Sequence, residues 1–190
     1  TMHCLSYHQS EKLIAIGWST GLVEIRRVDE RDGSAAERLT SSFLHKKPVK
    51  FLSFIKDDRF VSVDEDGHIG ICGIQDGQPI HRAKVGGEYV EAALSDDQKT
   101  LFLFSYRGIE DTNTFALEIE SGRLTFGPDV DDLSVRSQVF AVDSHRAAYR
   151  FLHEEKLTGE AEKAWGDDER IRDALAVVNF QTGEIETILF

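Results

Sequence analysis

Cysteine occurs only twice, as Cys4 and Cys72, far apart in the chain. No disulfide framework or zinc ribbon can be assembled from one distant pair, and such usage fits a reducing, cytoplasmic setting. Proline occurs three times, and Pro48, Pro79 and Pro128 each fall at the boundary of an alternating run. That placement suits strands, whose interiors need every N–H. Long apolar runs are missing, so nothing in the sequence spans a bilayer, and there is no signal-peptide pattern. Positive charge is scarce: Lys and Arg number 22 against 34 Asp and Glu, a formal net charge of −12. A broad acidic field repels phosphate backbones, which argues against a nucleic-acid partner. The chain opens Thr1-Met2, which reads as a leftover cloning residue or an excised domain.

What is present is ordinary globular composition, 190 residues with 41% apolar and 29% charged, enough for a well-buried core. Within it one pattern recurs four times: strand, turn, strand, turn, strand, turn, strand. The clearest copy runs Val49–Phe54, the turn Lys56-Asp57-Asp58, Arg59–Val63, Asp66-Gly67, His68–Cys72, Asp76-Gly77 and Gln78–Ala83. Apolar residues ending the first strand of each copy, Tyr7, Phe54, Leu94 and Val142, are spaced 47, 40 and 48 apart. The last tight turns, Asp32-Gly33, Asp76-Gly77, Ser121-Gly122 and Thr182-Gly183, have glycines 44, 45 and 61 apart. Glycine after a polar residue supplies the positive φ of a short hairpin. A four-stranded unit of about 40–45 residues marks a propeller blade. The units fall at about 3–44, 45–86, 87–128 and 134–190.

Alternation supports strands throughout. Leu13, Ala15 and Gly17 share one face and Ile14, Ile16 and Trp18 the other, while Leu22–Arg26 reads as partly exposed. Leu101-Phe102-Leu103-Phe104 is continuously apolar, as expected of a strand packed between neighbouring blades. The longer last spacing places an insertion at 152–173. It is charged, and Leu157, Ala161 and Trp165 at i, i+4, i+8 would share a helical face, but Gly159 weakens a helix; helix and disordered loop both fit.

His45-x-x-x-Val49-x-x-Leu52-Ser53-Phe54, followed by Asp66-Gly67-x-Ile69-x-Ile71, resembles a WD40 repeat. In that family a His, a Ser or Thr, an Asp and a Trp form a buried set that fixes each blade. The resemblance implies His45 as the first member, Ser62 or Ser53 as the second and Asp66 as the third. The Trp position falls on Cys72, no Trp-Asp dipeptide exists, and the third and fourth units lack the set, so the WD40-like propeller is divergent. The stretch Cys4–Ile25, with its Leu13-Ile14-Ala15-Ile16-Gly17-Trp18-Ser19-Thr20-Gly21 core, resembles the WD40 domains of large intraflagellar transport A complex subunits. It is also similar to the WD40 subunit of the anaphase-promoting complex. The resemblance covers the first two units.

Candidate chemistry has plainer readings beside it. Gly17-Trp18-Ser19-Thr20-Gly21 matches the G-x-S-x-G nucleophile elbow, but that elbow leads into a helix, whereas Leu22 to Val28 reads as a strand. Cys4 and His8 lie four apart in a strand, about 13 Å, too far to share a metal. The acidic groups 57–58, 64–66, 96–97 and 129–132 lie at turns without calcium-loop spacing. Trp165 either packs on its own blade or anchors a partner. Arg26 and Arg27, with Arg31 and Arg38, form a basic cluster that contacts an acidic partner or balances the acidic field.

The sequence thus reads as all-β: a WD40-like propeller of four four-stranded antiparallel blades, with a segment of a larger ring, seven-bladed as the WD40 resemblance implies, favoured over a closed four-bladed ring. The expected role is a non-enzymatic scaffold binding protein subunits of a large assembly, ciliary or otherwise cytoplasmic, with no catalytic residue, cofactor, metal, nucleic acid or membrane insertion. Two other classes remain: the propeller of a ubiquitin-ligase or vesicle-coat assembly, and a propeller attached to a serine hydrolase domain. Downstream helical repeats would mark a coat or ciliary subunit, and a downstream α/β domain the hydrolase.

Overall fold

Polar turns cut the chain into sixteen strands in a computed structural model that describes residues 1–29, 35–109, 112–128, 138–155 and 170–189. They form four antiparallel sheets, each a meander of consecutive strands. The first sheet holds β1 (Met2–His8), β2 (Leu13–Trp18), β3 (Leu22–Val28) and β4 (Ala35–Phe43). The second holds β5 (Val49–Ile55), β6 (Arg59–Asp64), β7 (His68–Gly73) and β8 (Pro79–Lys84). The third holds β9 (Glu88–Leu94), β10 (Thr100–Ile109), β11 (Thr112–Glu118) and β12 (Leu124–Phe126). The fourth holds β13 (Gln138–Ala141), β14 (Arg146–Glu155), β15 (Arg170–Asn179) and β16 (Ile185–Leu189). No helix occurs among the described residues.

The sheets pack face to face in chain order, and their first strands line up: β1 touches β5, β5 touches β9, and β9 touches β13. Three apolar seams hold them. Leu13, Ala15, Val23 and Ile25 of the first sheet meet Leu52, Phe54, Phe60 and Cys72 of the second. Val61, Val63, Ile69 and Ile71 meet Leu101, Leu103, Phe115 and Leu117 of the third. Phe102 and Phe104 meet Val139, Ala147, Tyr149 and Val178 of the fourth. The run 101–104 therefore buries both faces, its odd residues toward one neighbour and its even ones toward the other. Each such side chain contributes about 1.5–3 kcal/mol of burial.

The turns lock the seams. Gly77 and Gly122 adopt φ of 65° and 68°. Asp76 Oδ1 accepts the Gln78 N–H, and Ser121 Oγ accepts the Arg123 N–H. Each turn reaches the outer strand of the preceding sheet, for a Cβ on Gly77 would stand 2.6 Å from Thr40 Cγ2, and one on Gly122 2.8 Å from the His81 ring. Thr40 Oγ1 in turn donates to the Ile74 carbonyl at 2.6 Å. The corresponding Gly33 lies outside the described residues.

Among the described residues the two end sheets keep one open face each. Cys4 and His8 point toward the second sheet, Cys4 Sγ donating to the Val49 carbonyl at 3.4 Å and His8 meeting the Phe54 ring edge-on. Alternation therefore turns Leu5 and Tyr7 the other way, where half of each is exposed. Phe43 shares that open face and is 74% exposed. On the fourth sheet Phe140, alternating with the buried Val139, is 47% exposed.

The expected insertion at 152–173 lies only in part within the described residues. Its two ends are strand: β14 and β15 stay paired from Arg146↔Asn179 out to Glu155↔Arg170. Leu152, His153, Glu154 and Glu155 thus extend a two-stranded ribbon. Leu157, Ala161 and Trp165 lie outside the described residues.

Candidate functional site

The densest set of buried polar groups sits where the β4–β5 link crosses the second sheet. His45, in that link, is buried, and its N–H donates to the Gly21 carbonyl of the β2–β3 turn. Its Nε2 lies 2.8 Å from Ser62 Oγ on β6. Its Nδ1 faces Asp64 Oδ2 at 3.5 Å, beyond the length of a good hydrogen bond. Asp64 ends β6, and its Oδ1 accepts the N–H of Asp66 at 3.0 Å and of His68 at 2.9 Å. The His68 ring closes the set, Nδ1 lying 3.1 Å from Asp64 Oδ2.

Burial works against the Asp64 charge, but the His45 side chain, the His68 N–H and the two imidazoles outweigh it and hold the carboxyl below its usual range. The expected third member, Asp66, is replaced by Asp64. Asp66 is half-exposed, and its carboxylate lies 4.0 Å from Lys47 Nζ. The reason is local: Asp64 is the last residue of β6 and points inward with Ser62, whereas Asp66 stands in the turn beyond. Ser53 turns away, donating to the Phe54 carbonyl. The Asp64–His68 pair was not expected from the sequence, although i, i+4 spacing across a tight turn was its available signal.

Ser62, His45 and Asp64 have the residue types of a hydrolytic triad in the same order of contact. Ser62 and Asp64 are completely buried, so no carbonyl carbon can reach Oγ. The set fastens the link from one blade onto the next.

Ser19, the other candidate nucleophile, lies in a hairpin turn. Its N–H donates to the Thr1 carbonyl, Gly21 N–H donates to the Trp18 carbonyl, and β3 follows at once. Both thiols are pushed up, mainly by burial, Cys4 to about 11 and Cys72 to about 12, so neither is a thiolate nucleophile at neutral pH. Among the described residues no group of three or more His, Cys, Asp or Glu is placed to hold a metal. No helix among them is long and apolar enough to cross a membrane.

The basic cluster meets acids of its own chain. Glu24, buried on β3, accepts a hydrogen bond from Trp18 Nε1 at 3.1 Å, and its Oε1 lies 3.5 Å from Arg26 and 3.7 Å from Arg38. Arg27 lies 3.5 Å from Glu37. Arg26 and Arg27, expected as partner contacts, are thus matched internally. The sequence read Glu24 as partly exposed; its signal was that alternation sets it on the face of Trp18, next to the same turn. Arg31 and Trp165 lie outside the described residues.

Beside His45 and Ser62 the seam is incomplete. Gly70 on β7 contributes no side chain, and a cavity of about 200 Å³ lies between the β4–β5 link and β7–β8.

No protein-family model matches the sequence, and neither does any curated protein sequence. Solved structures do match. The WD40 β-propeller domain of Doa1 superposes with a TM-score of 0.63 at 14% identity over 98% of this chain and 54% of that one. The fold is that of a WD40 β-propeller. A chain of the mitotic checkpoint complex matches with a TM-score of 0.65 at 15% identity, over 97% of this chain and 49% of its own. This WD40-like chain therefore spans about half the length of both. The computationally designed Ika4 protein matches with a TM-score of 0.53 at 16% identity, over 100% of this chain and 91% of that one.

Proposed function

We propose that this WD40-like chain is a non-enzymatic module that holds protein subunits together in a larger assembly. The open end faces carry the reading. Leu5, Tyr7 and Phe43 on one and Phe140 on the other are large apolar groups on sheet faces that no other described residue covers. Large exposed apolar side chains on the outer faces of the two end sheets suit contact with another protein surface. The buried state of Ser62 and Asp64 and the hairpin setting of Ser19 support a binding role over a hydrolytic one.

Within that reading the Cys4–Ile25 stretch favours a subunit of an intraflagellar transport complex, acting in the cytoplasm or cilium. A ubiquitin-ligase or vesicle-coat assembly is the second reading, favoured by the same repeat pattern. Hydroxyl-radical footprinting of the full-length protein in its native assembly tests the general proposal. Leu5, Tyr7 and Phe43 should be protected there and reactive in residues 1–190 alone; equal reactivity overturns it. Stoichiometric recovery of intraflagellar transport subunits with the tagged full-length protein is expected under the finer reading, and their absence overturns that reading alone.

A further inference from the structure

The cavity between the β4–β5 link and strands β7 and β8 is a built recess that the fold itself does not need. Gly70 forms its floor on β7, in extended backbone that any residue adopts. A Cβ placed there would stand 3.5 Å from both Cys72 Sγ and Ser62 Oγ, ordinary van der Waals contact. Neither backbone conformation nor crowding therefore requires glycine. A glycine inside a strand that packing does not demand often marks the close approach of another molecule. Leu44, Pro79 and Ala83 line the walls. At about 200 Å³ the recess is smaller than a typical small-molecule pocket of about 300–1,000 Å³. It exceeds the roughly 150 Å³ in which an engineered cavity takes benzene. One aliphatic or aromatic side chain fills it.

Its rim has the opposite charge to the rest of the molecule. Lys46 and Arg82 are exposed at the mouth, and neither forms a salt bridge among the described residues. Arg82 is paired in register with Gly70, so its side chain leaves β8 beside the opening. His68 adds a half-exposed imidazole, anchored from behind by Asp64. On a chain of net charge −12, two free cations flanking an apolar hole complement a partner with carboxylates beside an apolar anchor.

We propose that this recess receives one apolar side chain of a partner polypeptide whose adjoining residues are acidic, with Lys46 and Arg82 engaging the carboxylates. The proposal rests on the protein-binding role and assigns one surface of it. The test titrates the ¹⁵N-labelled chain with an acetylated, amidated pentapeptide of one leucine flanked by two glutamates on each side. Peptides with alanine at the centre, or with lysine flanks, are the comparison. Amide shifts should saturate at millimolar peptide or below and centre on Leu44–Lys46 and Ile69–Cys72. Alanine or lysine peptides should bind at least tenfold more weakly. Gly70→Leu should abolish binding while the chain stays folded. Gly70→Ala, whose added carbon fits without displacement, should weaken it with unchanged melting, and Arg82→Glu should weaken it about tenfold. Absence of saturable shifts, equal binding of the three peptides, or undiminished binding by Gly70→Leu or Gly70→Ala overturns the assignment. Shifts centred instead on Leu5, Tyr7 or Phe43 overturn the recess but leave the general binding role standing. That role fails separately, in the footprinting of the assembly.

Discussion

Nδ1 of His45 faces the carboxylate of Asp64, not that of Asp66, and this choice between two acids two residues apart decides which one supports the blade junction. Asp64→Ala strips the acceptor from two backbone N–H groups and leaves His45 without its acid. Breaking a buried charged set typically costs about 3 kcal/mol or more. Asp66→Ala removes only a solvent-exposed contact with Lys47, so it should change stability by less than about 1 kcal/mol. Urea unfolding of the two variants checks this; equal losses would place both acids, or neither, in the junction.

Asp64 also fixes a pH dependence. Its folded-state proton affinity is lowered, so the folded state binds that proton less tightly than the unfolded chain does. The stability it contributes is therefore fully present above the ordinary carboxyl value near ~4 and is lost as pH falls through the lower folded value. Urea midpoints followed downward from about pH 5 should fall more steeply for the parent than for Asp64→Asn. Asp97, held down chiefly by the Ser95 hydroxyl, and Asp143, held down chiefly by the His145 N–H, remain in both proteins. The difference between the two curves thus belongs to Asp64, and parallel acid limbs would contradict it.

Gly77 and Gly183 occupy equivalent turns with φ of 65° and 73°, yet they differ in surroundings. Alanine at either position takes on the left-handed cost of about 1 kcal/mol. At Gly183 nothing lies within 4 Å, so Gly183→Ala should cost little more. At Gly77 the new carbon would stand 2.6 Å from Thr40 Cγ2, and Thr40 is held by hydrogen bonds to the Ile74 and Gln75 carbonyls. Overpacking adds about 1–3 kcal/mol. Thermal melts should rank Gly77→Ala clearly below Gly183→Ala, and the reverse order would show that the turn does not clamp the first seam.

The strand order was legible because the last tight turn of each unit is written as a polar residue followed by glycine, and because two-residue alternation survives wherever one face is buried. The run 101–104 announced a strand packed on both sides for the same reason. The acid facing His45 was not legible: Asp64 and Asp66 share the same parity, and only the end of β6 separates an inward side chain from a turn residue. The β14–β15 ribbon was missed because residues 152–155 and 170–173 carry little apolar alternation. The signal there was charge, since the register sets Glu155 opposite Arg170 and His153 opposite Arg172. The recess was hidden altogether, because a missing side chain at Gly70 becomes a cavity only once the β4–β5 link, β7 and β8 are brought together.

That ribbon supplies the last prediction. Deleting 153–173 outright would cut a paired ladder that runs out to Glu155↔Arg170. Replacing only 156–169 by Asn-Gly leaves the ladder whole, because a two-residue turn of that kind closes directly paired antiparallel strands. Shortening the closed segment roughly sevenfold lowers its closure cost by about 1.7 kcal/mol. The shortened protein should therefore melt at the parent temperature or slightly above it. The segment removed contains Trp165, and a Trp that packs under a blade costs about 3 kcal/mol or more to delete, which more than cancels the gain. Calorimetry of the shortened chain beside Trp165→Ala separates the cases. An unchanged or raised melting temperature in both shows that Trp165 is not a core residue. A fall of several degrees in both overturns the prediction and places Trp165 against the fourth sheet.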